Sequence, residues 1–133
     1  MEGIAFELYH SLKRMEKRAG IQVEELYVGG GGARSNVACQ ILSDLFALPV
    51  KRTQTHEVSA VGAAMAAFLA QGIFHDYDEA IRSMVHEGDV FRPNPDRHRI
   101  YAQLYRGVYA RLYPRLEPLY RRISEITKRS DVL

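Results

Sequence analysis

The 133-residue sequence predicts an α/β fold: a short βαβ unit packed among several helices and followed by a long, kinked C-terminal helix. Three observations carry this. A short apolar stretch runs into four consecutive glycines at 29–32 and then into a helical pattern. A second extended stretch returns at 50–53, immediately after that helix. Elsewhere apolar residues recur at helical rather than strand spacing.

Residues 3–18 place Ile4, Leu8, Leu12 and Met15 on one face, with Phe6 beside it and charges at Lys13, Arg14, Glu16, Lys17 and Arg18. This is an amphipathic helix that Gly20 stops, and no capping residue precedes it. Residues 24–28 form a short strand feeding the glycines. Ser35 or Asn36 caps the next helix, whose buried face is Val37, Ile41, Leu42, Leu45 and Phe46. Cys39 lies in the same apolar pattern and is a packing thiol, not a nucleophile. Leu48-Pro49 ends the helix, and a strand at 50–53 completes a right-handed βαβ unit. The helix at 57–69 is rich in small residues, among them Ala60, Gly62, Ala63 and Ala67, which permit close backbone approach. Asp76 caps a short helix to 86, with Ala80, Ile81, Met84 and Val85 facing inward.

After a turn at 92–95, Asp96 is expected to cap the final helix. There Ile100, Leu104, Val108 and Leu112 recur every four residues beside Tyr101, Tyr105, Tyr109 and Tyr113. A spacing of four drifts about 40° per step, so the stripe should cross more than one neighbour. Pro114 and Pro118 should kink or split the helix. The tyrosines read as packing groups with polar tips near solvent rather than as a base-stacking ladder. Two strands do not make a self-sufficient parallel sheet. Either a partner chain completes it, or this is the C-terminal piece of a longer protein; the second is favoured.

Composition narrows the function. Hydrophobic content of 47% and charge of 26% are those of a globular protein, and no apolar run or leader pattern suggests a membrane association. A single cysteine rules out an internal disulfide and suits a reducing, cytoplasmic setting. Residues 1–95 carry nine Lys/Arg against twelve Asp/Glu, and residues 96–133 nine against four. The basic tail reads as a solvated helix face, so a nucleic-acid partner is not expected. His10, His56, His75, His86 and His98 lack ligand spacing, so no metal site is assigned. Glu57 precedes a helix and suits its dipole, a structural role. The glycine run is the chemical signal: glycines let backbone N–H groups come close to a ligand, and a following helix N-terminus favours a phosphate.

These residues resemble the end of an FGGY-family carbohydrate kinase, in the actin-like (ribonuclease H-like) ATPase superfamily. Glu2-Gly3-Ile4-Ala5-Phe6 is similar to the family's E-G-I-A-F helix, and residues 30–36, continuing through Gln40-Ile41-Leu42-Ser43-Asp44, to its G-G-G-A-R-S-x…Q-I-x-A-D adenosine motif. Residues 57–64 resemble E-x-S-A-L-G-A-A, and Phe91-Arg92-Pro93 before a Tyr-rich helix resembles the family ending. Four motifs in register span essentially the whole chain. The resemblance implies that Gly31, Gly32 and Ala33 present backbone to the α-phosphate and ribose of ATP or ADP, and that Asn36 approaches the adenine. Gly30 would shape the turn, and Arg34 would lie over the base or face solvent. Glycerol kinases carry Asp at the position of Gly30, so the pattern is closer to the xylulokinase-like branch. In the family the sugar pocket, phosphate loops and Mg²⁺ ligands come from the N-terminal lobe, and the general-base Asp from sequence upstream. None is recognisable here, so no catalytic residue is assigned, and the chain alone is expected to bind nucleotide without phosphorylating sugar. The alternative is a non-catalytic module, self-associating or nucleic-acid-binding through residues 97–129.

Overall fold

The computed structural model describes residues 1–129. In chain order it contains α1 (Glu2–Ala19), β1 (Leu26–Val28), a 3₁₀ turn (Gly31–Arg34), α2 (Asn36–Phe46), β2 (Val50–Thr53), α3 (Val58–Ala70), α4 (Tyr77–Met84), β3 (Glu87–Phe91), α5 (Pro95–Leu104), a π turn (Tyr105–Tyr109) and α6 (Ala110–Arg129). β1 and β2 run parallel, Leu26 opposite Val50 and Val28 opposite Arg52, with α2 as their crossover. β3 then pairs antiparallel with the other edge of β2, Val50 opposite Phe91 and Thr53 opposite Glu87. The expectation of a two-stranded sheet is therefore corrected to three strands in the order β1-β2-β3. Glu87-Gly88-Asp89-Val90-Phe91 has little apolar alternation because, as an edge strand, it is held by backbone pairing.

The core lies where α1, α2 and the Tyr-rich helix meet. Ala5, Phe6, Leu45 and Phe46 are buried, with Tyr9, Leu12, Tyr101, Tyr105 and Tyr109 packed around them. Phe6 stacks on Tyr109 at 5.2 Å between ring centroids, and Tyr9 meets Phe46 and Tyr105 edge-on at 5.2 and 4.8 Å. Leu45 and Val50 are 1% and 0% exposed, each contributing about 1.5–3 kcal/mol of transfer free energy.

Several expected burials fail in one direction. Ile4, Leu8 and Met15 of α1 are exposed, as are Val37, Ile81 and the stripe Ile100, Leu104, Val108 and Leu112. α1 turns Phe6 and Tyr9 inward, and the Tyr-rich helix turns Tyr101, Tyr105 and Tyr109, which leaves their aliphatic sides outward; Tyr113, expected to pack with them, is 68% exposed. The tyrosine tips do reach polar partners: Tyr101 Oη donates to Glu2 at 2.9 Å, Tyr109 Oη to Glu7 at 2.6 Å, and Tyr105 Oη lies 2.7 Å from His10 Nδ1.

The helix ends follow simple rules. Gly20 stops α1 at φ 67°, a left-handed conformation natural to glycine. Asp76 caps α4 by accepting from the Glu79 N–H at 2.8 Å. Asn94, not Asp96, caps α5, its Oδ1 accepting from the Asp96 and Arg97 amides at 3.0 Å. Pro95 takes the first helical position, where its missing N–H costs nothing. Pro114 and Pro118 lie inside α6 without ending it. The interruption in the long helix is the π turn upstream.

Candidate functional site

The four glycines between β1 and α2 are not equivalent. A Cβ at Gly29 would lie 2.5 Å from Val58 Cγ1 and 3.3 Å from Thr53 Oγ1, so this glycine lets the start of α3 close onto the sheet. Gly30 sits at φ 82° and makes the bend. Gly31 and Gly32 have neither reason: a Cβ at either would meet nothing within 4 Å, and both are exposed. They leave bare backbone facing open space. Behind them Ala33 is buried; its N–H donates to the Gly30 carbonyl at 3.1 Å, and its own carbonyl accepts from Arg52 Nη1 at 3.1 Å and from the Cys39 thiol at 3.4 Å. Burial pushes the Cys39 thiol up, which keeps it protonated. Ser35 Oγ accepts from the Ala38 N–H at 3.2 Å and caps α2.

Arg52, at the end of β2, is the anchor that sequence reasoning missed. Besides Ala33, its Nη1 donates to Asn36 Oδ1 at 2.8 Å, its Nη2 pairs with Asp89 on β3, and its guanidinium lies 5.4 Å from the centre of the Phe91 ring. The bond orients the Asn36 amide and leaves its Nδ2 donors for a ligand. A charged residue in a short central strand was the available signal.

A second clasp holds the far end of α2. Asp44 is 2% exposed, pairs with Arg97, and accepts from the Asn94 amide and Gln40 Nε2, both at 2.8 Å. His98 Nδ1 bonds the Asp44 carbonyl at 3.0 Å. The helix that carries the turn is thus tied to the start of α5.

Two of the clefts at the turn take in residues of the expected nucleotide site. One, of about 430 Å³, is apolar and lined by Gly32, Ala33, Ala38 and Cys39 with Ile4 and Leu8 of α1. The other, of about 390 Å³, is polar and lined by Arg34, Asn36, Arg52, Gln54, His56 and Asp89, beyond the carboxyl ends of β1 and β2. Open α/β sheets place ligands at that end of their parallel strands. Gly32 and Ala33 therefore border one cleft and Asn36 the other, while Gly31 stands exposed at the head of the turn. Arg34 faces the polar cleft, 3.5 Å from Glu57 in an exposed ion pair. The Glu57 side chain makes no capping bond to α3. In the same loop, His56 Nδ1 is buried without a hydrogen-bond partner. Among the described residues no group of three or more His, Cys, Asp or Glu is placed to hold a metal ion. No helix among them is long and apolar enough to cross a membrane.

Comparison with known proteins gives a consistent result. The FGGY family of carbohydrate kinases, C-terminal domain, matches residues 1–71. The chain is 33% identical over 127 residues to a xylulose kinase of Staphylococcus epidermidis, covering 96% of this chain and 25% of that protein. It is 34% identical over 126 residues to the L-xylulose/3-keto-L-gulonate kinase of Escherichia coli, covering 95% and 25%. A glycerol kinase of Alkaliphilus oremlandii is 38% identical over 107 residues, covering 80% and 21%. The chain thus spans about a quarter of the length of the first two relatives. Among solved structures, a ligand-bound xylulose kinase from Lactobacillus acidophilus superposes with a TM-score of 0.80 at 23% identity, over 92% of this chain and 24% of that one. A Plasmodium falciparum glycerol kinase solved with ADP superposes at 0.67 and 23% identity, over 83% and 22%. These likenesses show that the α/β arrangement is the actin-like fold expected. Through residues 1–71, more than half its length, the chain belongs to the FGGY family of carbohydrate kinases as part of the C-terminal domain.

Proposed function

We propose that this chain is the adenine-nucleotide-binding portion of an ATP-dependent sugar kinase of the xylulokinase-like branch, an enzyme that moves the γ-phosphoryl group of ATP to a sugar hydroxyl. The observation that carries the reading is the pair Gly31 and Gly32, bare toward open space with neither a packing nor a torsional reason to be glycine. Backbone that a side chain would otherwise screen is what a phosphate or ribose needs for close approach. In this reading Gly31 and Gly32 meet the α-phosphate and ribose, with buried Ala33 as the wall behind them. Asn36, its amide set by Arg52, donates to the adenine. The similarity of nearly all of this chain to about a quarter of each of two xylulose-type kinases supports the branch.

Phosphoryl transfer depends on positioning and on neutralising charge around the γ-phosphate. The acids beside the polar cleft, Glu57 and Asp89, are each paired with an arginine, so these residues do not suit Mg²⁺. The metal, the sugar and the general base are left to groups outside this chain, which by itself binds nucleotide and transfers nothing. A cytoplasmic setting, where the lone buried Cys39 stays reduced, completes the reading.

Isothermal titration calorimetry with ADP in the presence of Mg²⁺ tests it. Saturable binding is expected for the wild-type chain. In Gly32→Val it should be lost, at least tenfold weaker (about 1.4 kcal/mol), with the circular dichroism spectrum unchanged. A folded wild-type chain that takes up no ADP, or a Gly32→Val chain that binds as well as wild type, overturns the assignment.

A further inference from the structure

The loop from β2 to α3 is held at several points. Thr53 Oγ1 donates to the Thr55 carbonyl at 2.8 Å, the Glu57 N–H to Thr55 Oγ1 at 3.2 Å, and the Gln54 N–H to the His86 carbonyl at 2.9 Å. His56 is left out of this network. Its Nδ1 is buried with no hydrogen-bond partner among the described residues, which costs about 1–3 kcal/mol unless something meets the atom. Buried orphans of this kind are rare in folded proteins. The residue stands where two clefts meet. One is the polar cleft of Asn36 and Arg52. The other, of about 400 Å³, shares Arg34, Gln54 and His56 with it and continues past Glu57 to Met84 and His86. With Nδ1 unbonded, the imidazole is free to turn about Cβ–Cγ toward the open side.

Asn36 and His56 border the same polar cleft with opposite hydrogen-bonding characters. A guanidinium only donates, so the Asn36 oxygen must face Arg52 and the amide presents its Nδ2 hydrogens elsewhere. A neutral imidazole carries its proton on one nitrogen and a lone pair on the other. With the proton on Nε2, the His56 Nδ1 is an acceptor. We infer that His56 is a second base-recognition residue, its Nδ1 accepting from the 6-amino group of adenine while Asn36 donates to a ring nitrogen. This role rests on the nucleotide reading and narrows its ligand to 6-aminopurines. The amino group of adenine lies between two acceptors, N1 and N7, so an acceptor beside a donor fits the base from either edge. Guanine and hypoxanthine carry a carbonyl oxygen at that position, which sets one acceptor against another at His56.

Calorimetry of the full chain with Mg²⁺ and three nucleotides tests this: ADP, inosine diphosphate, and purine riboside diphosphate, which lacks the 6-amino group. The wild type should bind ADP about tenfold more tightly than either of the others, the effect of leaving one polar partner unpaired. His56→Ala should bring ADP and purine riboside diphosphate to within about twofold of each other, with an unchanged circular dichroism spectrum. His56→Asn, whose side-chain oxygen can accept in place of Nδ1, should restore the preference. A His56 that only shapes the loop would weaken all three nucleotides together and leave their ratios alone. A wild type that binds ADP and purine riboside diphosphate equally well overturns the inference and leaves the nucleotide reading standing; that comparison needs no variant to fold. A His56→Ala chain that keeps the preference for ADP also overturns it. A folded wild type that binds none of the three overturns the nucleotide reading, and this role with it.

Discussion

A methyl group added at Gly29 lands 2.5 Å from Val58 Cγ1, while one added at Gly32 meets nothing within 4 Å, so neighbours in one glycine run answer to different constraints. Gly29→Ala should therefore cost about 1–3 kcal/mol in urea unfolding, the range for overpacking. Adding Val58→Ala should recover much of it. Gly32→Val should leave stability within about 0.5 kcal/mol, because the site is open surface. In the sequence the glycines form an undivided run that was legible as a sharp turn between a strand and a helix. The division of labour was not, because it depends on how near α3 comes to the sheet. Arg52 was hidden for a related reason: its partners Asn36, Ala33 and Asp89 come from three separate stretches of chain. Only the sheet's register brings them together.

Elements are joined here by a few buried polar groups as much as by apolar contact. Asp44 clasps α2 to the start of α5, and Asp44→Ala would orphan the Asn94 amide and release Gln40. Arg97 is half-exposed and can turn to water, so the expected loss is about 1–3 kcal/mol, read as a lower urea midpoint with an unchanged slope. Asp44→Asn, whose carbonyl still accepts from Asn94, should lose less. At this scale the helices and the βαβ unit were legible, since their periodicity and punctuation are local. Three features were not. β3 has no alternation because it is an edge strand. The cap of α5 is Asn94 because Pro95 must occupy the first turn. The inward side of α1 is that of Phe6 and Tyr9, since the tyrosines of a helix about a hundred residues away provide the complementary surface.

Over the whole molecule, those tyrosines staple the two ends of the chain. Burial, and then the bond to Glu2, pushes the Tyr101 phenol up to about 12; the bond to Glu7, and then burial, does the same for Tyr109. An unfolded phenol titrates near about 10. The folded state therefore holds these protons more tightly, and their contribution is intact below that pH and lost as pH rises toward 12. Tyr109→Phe should lower the melting temperature at neutral pH yet flatten its fall under alkaline conditions, as followed by thermal unfolding. The supports of the glycine turn also reach far along the chain, to Asp89 through Arg52 and to Asn94 and Arg97 through Asp44. Residues 1–71, the part that carries the family signature, include every glycine of the turn but neither of those distant buttresses. A protein trimmed to its recognisable motif would keep the letters of the glycine turn and forfeit its rigidity, so residues 87–97 belong to the smallest unit that holds the turn in shape.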